Sequence, residues 1–260
     1  FGAPQLDTFV TASLTDNLDL RSAWARLDQA AAAARQVGSS RFPQVGIEAG
    51  AGRARSLAPA PLGAVESDQF SISVPAAYEI DIWSRLRNTT RASEEDFLAA
   101  RADLEGLATT LVAQVSEAWF NVVYQRALLR LLDEQRETSA AFRDLILLRL
   151  GVEASAPDVY QQQQRIDGIE AQRILVEAQL EVALQRLALL LGRTPNTDLA
   201  VDRSDLPELP HPPAIGIPTS LLAGRPDVRA ANHRFAAADY RAAVAVADQL
   251  PALRLTGSLS

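Results

Sequence analysis

One stretch of this chain occurs twice. Residues 19–52 return at 227–260 with a constant offset of 208, and Asp19, Arg21, Ala23, Arg26, Ala30, Ala34 and Pro43 match Asp227, Arg229, Ala231, Arg234, Ala238, Ala242 and Pro251. Seven identities in 34 positions are few for so Ala-rich a segment, so the shared pattern carries more weight. Each copy is a helix-like run, then an apolar residue and Pro (Phe42-Pro43, Leu250-Pro251), then strict alternation of apolar and polar residues. A repeat of this length describes two halves of one fold rather than a solenoid of small units. The first copy is followed by more than 150 residues before the second begins, and the second stops at Ser260, so a longer protein is expected.

Between the two copies the chain alternates between two periods. Residues 5–40 predict a helix interrupted at Asp16–Asn17, and Phe42 to Gly52 predict a strand. Residues 53–66, with two Pro and a Gly, predict a loop. A second alternating run follows, with Phe70, Ile72, Val74, Ala76 and Tyr78 on one face and Ser71, Ser73 and Pro75 on the other, so that 43–78 form a β-hairpin. From Arg85 to Leu150 there is no Pro and a single Gly, Gly106. Leu104, Leu107, Leu111, Val115, Ala118 and Val122 recur at spacings of three and four, as in a helix packed on other helices. Unbroken, that helix would be roughly 100 Å long. A globular domain of this size has no use for it. Gly151 to Pro157 breaks the pattern, and Asp158 to Leu191 predicts a returning helix closed by Gly192, so 85–192 form one long helical hairpin. Residues 193–218 hold six prolines and predict an extended connector. Arg225-Pro226-Asp227 then opens the repeated helix of 225–260.

Composition narrows the function classes. All 25 basic residues are Arg, and the net charge of −7 opposes a nucleic-acid partner. With no cysteine there is no thiolate metal site and no Cys nucleophile. His211 and His233 stand far apart and do not make a metal site. No phosphate loop and no nucleophile–base arrangement occurs, so neither cofactor nor catalysis is expected. No apolar run reaches about 18 residues, which opposes a membrane helix but not a β-barrel, whose strands need only about 9–11 residues.

The segment Tyr78-Glu79-Ile80-Asp81-Ile82-Trp83-Ser84-Arg85-Leu86-Arg87 closely resembles the Y-E-L-D-[LF]-[WF]-G-R-[LVI]-R stretch of TolC-like outer-membrane efflux proteins, particularly the OprM/NodT-type branch. Asn17-Leu18-Asp19-Leu20-Arg21, with Ala23 and Arg26, resembles that family's N-x-D-L-R-x-A-x-A-R opening. Leu189-Leu190-Leu191-Gly192 followed by Pro195 resembles its A-L-L-L-G-x-x-P, and Arg225-Pro226-Asp227-Val228 resembles the R-P-D-[IV] start of its second half. The pieces fall in the family's order over nearly the whole chain.

The resemblance implies a mixed α and β fold, TolC-like, in which 1–260 are one incomplete protomer. Long antiparallel helical hairpins form a periplasmic α-barrel. β-Hairpins join a trimeric twelve-stranded barrel in the outer membrane, to which this chain supplies three of four strands. It implies a homotrimer in outer-membrane lipid, a periplasmic adaptor and an inner-membrane transporter as partners, and passive export of small molecules from a Gram-negative cell. An N-terminal lipid anchor is frequent in the branch. The family's hairpin turns at an adaptor-contacting periplasmic tip, with a Gly-Val step and an Asp-Val six residues after the Gly. Gly151, Val152 and Asp158 match in kind, although Asp158 is seven residues after Gly151 and Pro157 stands at a usually apolar position.

In a barrel, Val45, Ile47, Phe70, Ile72, Val74, Leu253 and Leu255 would face lipid, and Gln44, Glu48, Ser71, Ser73, Arg254 and Thr256 a wet lumen. Taken alone, the same alternation fits a half-buried soluble hairpin better, and only the long helix and the repeat favour the barrel. Ordinary structural roles stand beside the functional ones. Gly151 suits any helix end, Asp158 is a good N-cap, and Arg149 suits a helix C-terminus. Trp83 fits an interfacial anchor or a packing residue. Trp119 and Tyr124 fit packing, and Glu94, Glu95 and Asp96 a solvated face. The rival reading is a periplasmic coiled-coil adaptor or helical interaction protein without channel activity.

Overall fold

The computed structural model describes residues 2–57, 64–150, 152, 153, 155–195, 197–201 and 224–260. The elements run α1 (Pro4–Asp16), α2 (Leu18–Ser39), β1 (Gln44–Val45), β2 (Glu48–Leu57), β3 (Ala64–Ile80), α3 (Arg85–Leu148), α4 (Ala156–Leu190), α5 (Pro226–Ala247) and β4 (Leu253–Leu259). His211 and most of the expected connector lie outside the described residues. The chain divides into two compact units, Phe1–Ala23 with Glu105–Ile217, and Trp24–Leu104 with Pro218–Ser260.

In the first unit, α3 and α4 are antiparallel. Arg173 reaches Asp133 at 2.8 Å, and Gln162 donates to the Ser139 carbonyl at 3.0 Å. The 64 residues of α3 correspond to about 96 Å of helix. Along α3, Leu111, Val115, Ala118, Trp119 and Val122 are buried, and along α4 Val176, Ala183 and Leu187 are buried. Trp119 is the packing residue expected. Tyr124 is half exposed.

The interruption expected at Asp16–Asn17 is real, and Asn17 explains it. Its backbone turns extended (φ −62°, ψ 129°) while its side-chain oxygen accepts the N–H of Leu20, so one helix ends and the next is capped. The same amide donates to the carbonyl of Leu190 at 2.9 Å, satisfying one of the free carbonyls at the end of α4. Gly192 then takes φ +69°, with Arg193 N–H bonded to Ala188 O and Gly192 N–H to Leu189 O, the two bonds of a Schellman motif. A Cβ on Gly192 would lie 2.4 Å from the Asp16 carbonyl oxygen. Two motifs of the family resemblance, Asn17 with its following residues and Leu189–Gly192, are thus in direct contact.

In the second unit, β3 is the centre of a four-stranded antiparallel sheet. β1 and β2 lie along one edge and β4 along the other. β1 and β2 keep one register against β3, from Gln44↔Ala77 to Leu57↔Ala64. The break at Gly46–Ile47 lies beside Pro75, whose carbonyl accepts Gly46 N–H at 3.0 Å but which has no N–H to return. Within the expected 53–66 loop, β2 continues to Leu57 and β3 begins at Ala64, and residues 58–63 lie outside the described residues. Arg53 pairs with Asp68 at 2.7 Å and Arg55 with Glu66 at 3.7 Å across the strands, so charge pairing replaces hydrophobic alternation there.

Helix α5 packs on α3 through small residues, with Ala230, Ala237, Ala92, Ala99 and Ala102 buried. Charges flank the seam. His233 meets Glu95 at 2.7 Å, Arg234 meets Asp103 at 2.5 Å, and Arg241 pairs with Asp96. Glu95 and Asp96, expected on a solvated face, therefore belong to a helix–helix contact. The sequence of α3 by itself could not identify the partner helix.

Candidate functional site: a two-faced sheet and a helical tip

Opposed residues of antiparallel strands put their side chains on one face of the sheet. The registers place Val45 opposite Ala76, Ala49 opposite Ile72, Ala51 opposite Phe70, Leu255 opposite Tyr78, Leu253 opposite Ile80 and Leu259 opposite Val74. Ile47 falls on that same face. The other face carries Gln44 with Ala77, Glu48 with Ser73, Gly50 with Ser71, Arg254 with Glu79 and Thr256 with Ala77. The two sequence-derived sets are therefore separated on two sides of one sheet, and each set is continuous across the first hairpin and the repeated strand.

Among the described residues, neither face is covered by the chain. Phe70 is 81% exposed, Ile47 80% and Ile72 70%, while Gln44, Glu48, Ser71, Arg254 and Thr256 on the opposite side are exposed as well. A half-buried soluble hairpin would pack one face on a core. Soluble monomers seldom leave more than a few hundred Å² of continuous apolar surface open (roughly 300–600 Å²).

The sheet joins its helices through a compact polar junction. Glu79 accepts two N–H groups of Arg85 at 2.9 and 2.6 Å and one of Arg254 at 3.2 Å. Asp81 caps α3 by accepting Leu86 N–H at 3.0 Å and Arg87 N–H at 2.9 Å. Trp83, half exposed, donates to the Pro251 carbonyl at 3.0 Å. Ser84 takes φ +62°, a left-handed conformation that disfavours any Cβ, at the position where the family pattern quoted above has Gly. The cap by Asp81 and the clamp by Glu79 were not anticipated; the only sequence signal was that both lie in the family-like segment.

At the other end of α3, the helical hairpin turns. Gly151 lies outside the described residues. Val152 is 89% exposed. The N-cap of α4 is Ser155 and not Asp158, a correction of one residue role: Asp158 sits at the third helical position and closes a capping box. Its carboxylate accepts the Ser155 hydroxyl at 2.6 Å and the Ser155 N–H at 2.8 Å, and these bonds hold its pKa below the usual carboxylate range. Arg149 pairs with Glu153 at 3.6 Å across the turn. Beside them Phe142, Leu145, Ile146, Gln161 and Arg165 line an open groove of about 690 Å³ between α3 and α4.

Among the described residues there is no cluster of His, Cys, Asp or Glu able to hold a metal ion, and no helix long and apolar enough to cross a membrane. The second statement does not bear on a β-barrel.

Comparison with known proteins agrees with this geometry. The chain is 30% identical over its whole length to the pyoverdine export outer membrane protein OpmQ of Pseudomonas aeruginosa, covering 56% of that protein. It is 30% identical to the toluene efflux pump outer membrane protein TtgF of Pseudomonas putida, over 99% of this chain and 54% of that one. The solved structure of the outer-membrane channel OprN superposes with a TM-score of 0.87 at 33% identity, covering 99% of this chain and 59% of that one. The chain therefore spans a little over half the length of these relatives. The family described as "Outer membrane efflux protein" matches residues 10–193, and the chain belongs to it.

Proposed function

We infer that this chain is the larger part of one protomer of an outer-membrane exit duct, working in a tripartite pump. The sheet supplies barrel wall in the outer membrane and the helices extend into the periplasm. Three copies complete the barrel together with the rest of each protomer. Transport is passive, along a water-filled path past Gln44, Glu48, Ser71, Ser73, Arg254 and Thr256. Val45, Ile47, Phe70, Ile72, Val74, Leu253 and Leu255 meet lipid. The cargo is a small molecule, as the names of the pyoverdine and toluene relatives suggest.

One observation carries this reading: the dimension of the uncovered apolar face. It runs along β3 from Ile80 to Phe70 through alternate residues, and at Asp68 it becomes ionic. Ten residue steps at about 3.4 Å, tilted by about 45°, span about 24 Å. Membrane barrels carry an apolar band about 25 Å tall. A soluble hairpin has no reason to match that height.

The helical tip is the docking point for a periplasmic adaptor. The supporting features are the exposed Val152, the open groove beside it, and the capping box of Ser155 and Asp158 that shapes the turn. The inner-membrane transporter is reached through that adaptor.

Planar-bilayer recording of the full-length protein tests the duct. Trimers with stepwise conductance support it. A monomer without conductance, or a protein extracted from cells without detergent, overturns it.

A further inference from the structure

We propose that the outer end of the lipid-facing sheet surface binds the phosphate headgroups of the outer-leaflet glycolipid, using Arg53 and Arg55 for phosphate and Asp68 and Glu66 for the divalent cations between phosphates. The inference rests on the barrel reading and adds to it a lipid-recognition site.

The argument begins with register. Arg53 opposes Asp68 and Arg55 opposes Glu66, and these two rungs continue the same face as Phe70, Ile72 and Val74. On this face the change from apolar to ionic occurs within one rung. The end at Ile80 leads into α3, whereas the ionic end leads away from the helices toward the hairpin turn. With the helices in the periplasm, the ionic rungs stand at the outer surface. At about 3.4 Å per residue and about 45° of tilt, they lie roughly 5 and 10 Å beyond Phe70. That is headgroup depth, immediately above hydrocarbon.

The chemistry suits that layer. Outer-leaflet glycolipid presents phosphates bridged by divalent cations, a sheet of alternating charge. Each rung likewise sets a cation beside an anion, Arg53 with Asp68 and Arg55 with Glu66. Asp68 takes Nε and one Nη of Arg53 at 2.7 and 3.0 Å, which fixes the guanidinium plane and leaves its other N–H groups for a second oxyanion. All four side chains are about half exposed or more, so a headgroup reaches them without displacing core residues. Carboxylates beside phosphate would repel it if bare; neutralised by Arg or bridged by a hard divalent cation, they do not. A phospholipid with one phosphate and no cation lattice offers less of this match.

The test uses the full-length protein, purified in detergent and incubated with defined lipids. Retained lipid is counted by native mass spectrometry. The probes are diphosphorylated lipid A with Mg²⁺, the same lipid with a chelator, dephosphorylated lipid A, and phosphatidylglycerol. Wild type retains diphosphorylated lipid A with Mg²⁺ best. R53Q/R55Q lowers that retention by about tenfold, the size expected for two exposed charge-assisted contacts. E66Q/D68N keeps the phosphate preference and loses the Mg²⁺ dependence. Equal retention of phosphorylated and dephosphorylated lipid A by wild type overturns the proposal, as does an R53Q/R55Q protein that behaves like wild type. Both variants lie on exposed strand positions, and unchanged trimer migration on gels verifies assembly. A protein absent from the outer-membrane fraction would defeat the duct reading itself, whereas one present there without lipid preference defeats only this inference.

Discussion

The indole N–H of Trp83 donates to the carbonyl oxygen of Pro251 at 3.0 Å, joining the segment that ends the first hairpin to the segment that begins β4. The two residues are 168 positions apart. The bond ties the first structural repeat to the second where the sheet leaves the helices, next to the clamp of Arg85 and Arg254 on Glu79. Replacing Trp83 by Phe keeps the ring but removes the donor. Since the site is half exposed, the expected loss is about 0.5–1 kcal/mol, read as a small drop in the thermal midpoint of the detergent-solubilised full-length protein. An unchanged midpoint would show that the bond is not formed in the full-length protein.

Ser84 stands in a left-handed conformation that costs a residue with a Cβ about 1–2 kcal/mol. Ser84→Gly relieves this at the expense of a looser unfolded chain and of the Arg87 contact to the Ser84 hydroxyl at 2.5 Å. A net gain of about 0.5–1 kcal/mol is expected, measured by denaturant unfolding of the solubilised protein. A loss of stability would mean that the hydroxyl contact outweighs the backbone strain.

Gly192 allows no such exchange. It has φ +69° and faces the Asp16 carbonyl, so Gly192→Ala meets both a disfavoured backbone region and a 2.4 Å clash with backbone. The Schellman end of α4 and the Asn17 bond to Leu190 move together. Destabilisation of more than about 2 kcal/mol is expected, with reduced yield of folded full-length protein. Wild-type yield and heat resistance would count against this contact.

The pKa of Asp158 is lowered by its bonds to the Ser155 hydroxyl and N–H. A carboxylate with a lowered folded pKa contributes stability above its unfolded pKa of about 3.9, and that contribution is lost as pH falls through the folded value. The first turn of α4 should therefore exchange its amide hydrogens faster, relative to the rest of α4, once pH drops below about 4. In Asp158→Asn the turn should be looser at neutral pH and show no extra loosening in acid. Hydrogen exchange read by mass spectrometry on peptides covering 155–165 decides the matter, and equal acid sensitivity in both proteins would reject it.

The two sheet faces predict opposite responses to charge. On the barrel reading proposed above, Ile72→Arg places a guanidinium in the apolar band at a cost of about 2–4 kcal/mol, whereas Ser71→Arg points to water and costs little. Outer-membrane assembly should fall for the first and persist for the second. The reverse ranking would exchange the lipid and lumen faces.

Most of the architecture could be read from local periods. Spacings of three and four along Leu104 to Val122 specify a helix, and alternation from Phe70 to Tyr78 specifies a strand with two unlike faces, because each period is set by backbone geometry within a few residues. The repeat and the family-like segments ordered these elements. The strand ends at Arg53–Leu57 and Ala64–Glu66 escaped this reading. Their alternation is ionic, and its meaning appears only once Arg53 faces Asp68.

The contacts that make these elements one protomer were decided by tertiary structure. Asn17 bonds Leu190 across 173 residues, Arg254 reaches Glu79 across 175, and Glu95 finds His233 across 138. No local period encodes such pairings, because they depend on where each helix ends and how strands align. The openness of both sheet faces likewise emerged only from packing. Alternation states that two faces differ; it does not state what covers them. Among the described residues the chain covers neither, and that observation supports the barrel-wall reading of an otherwise ambiguous hairpin.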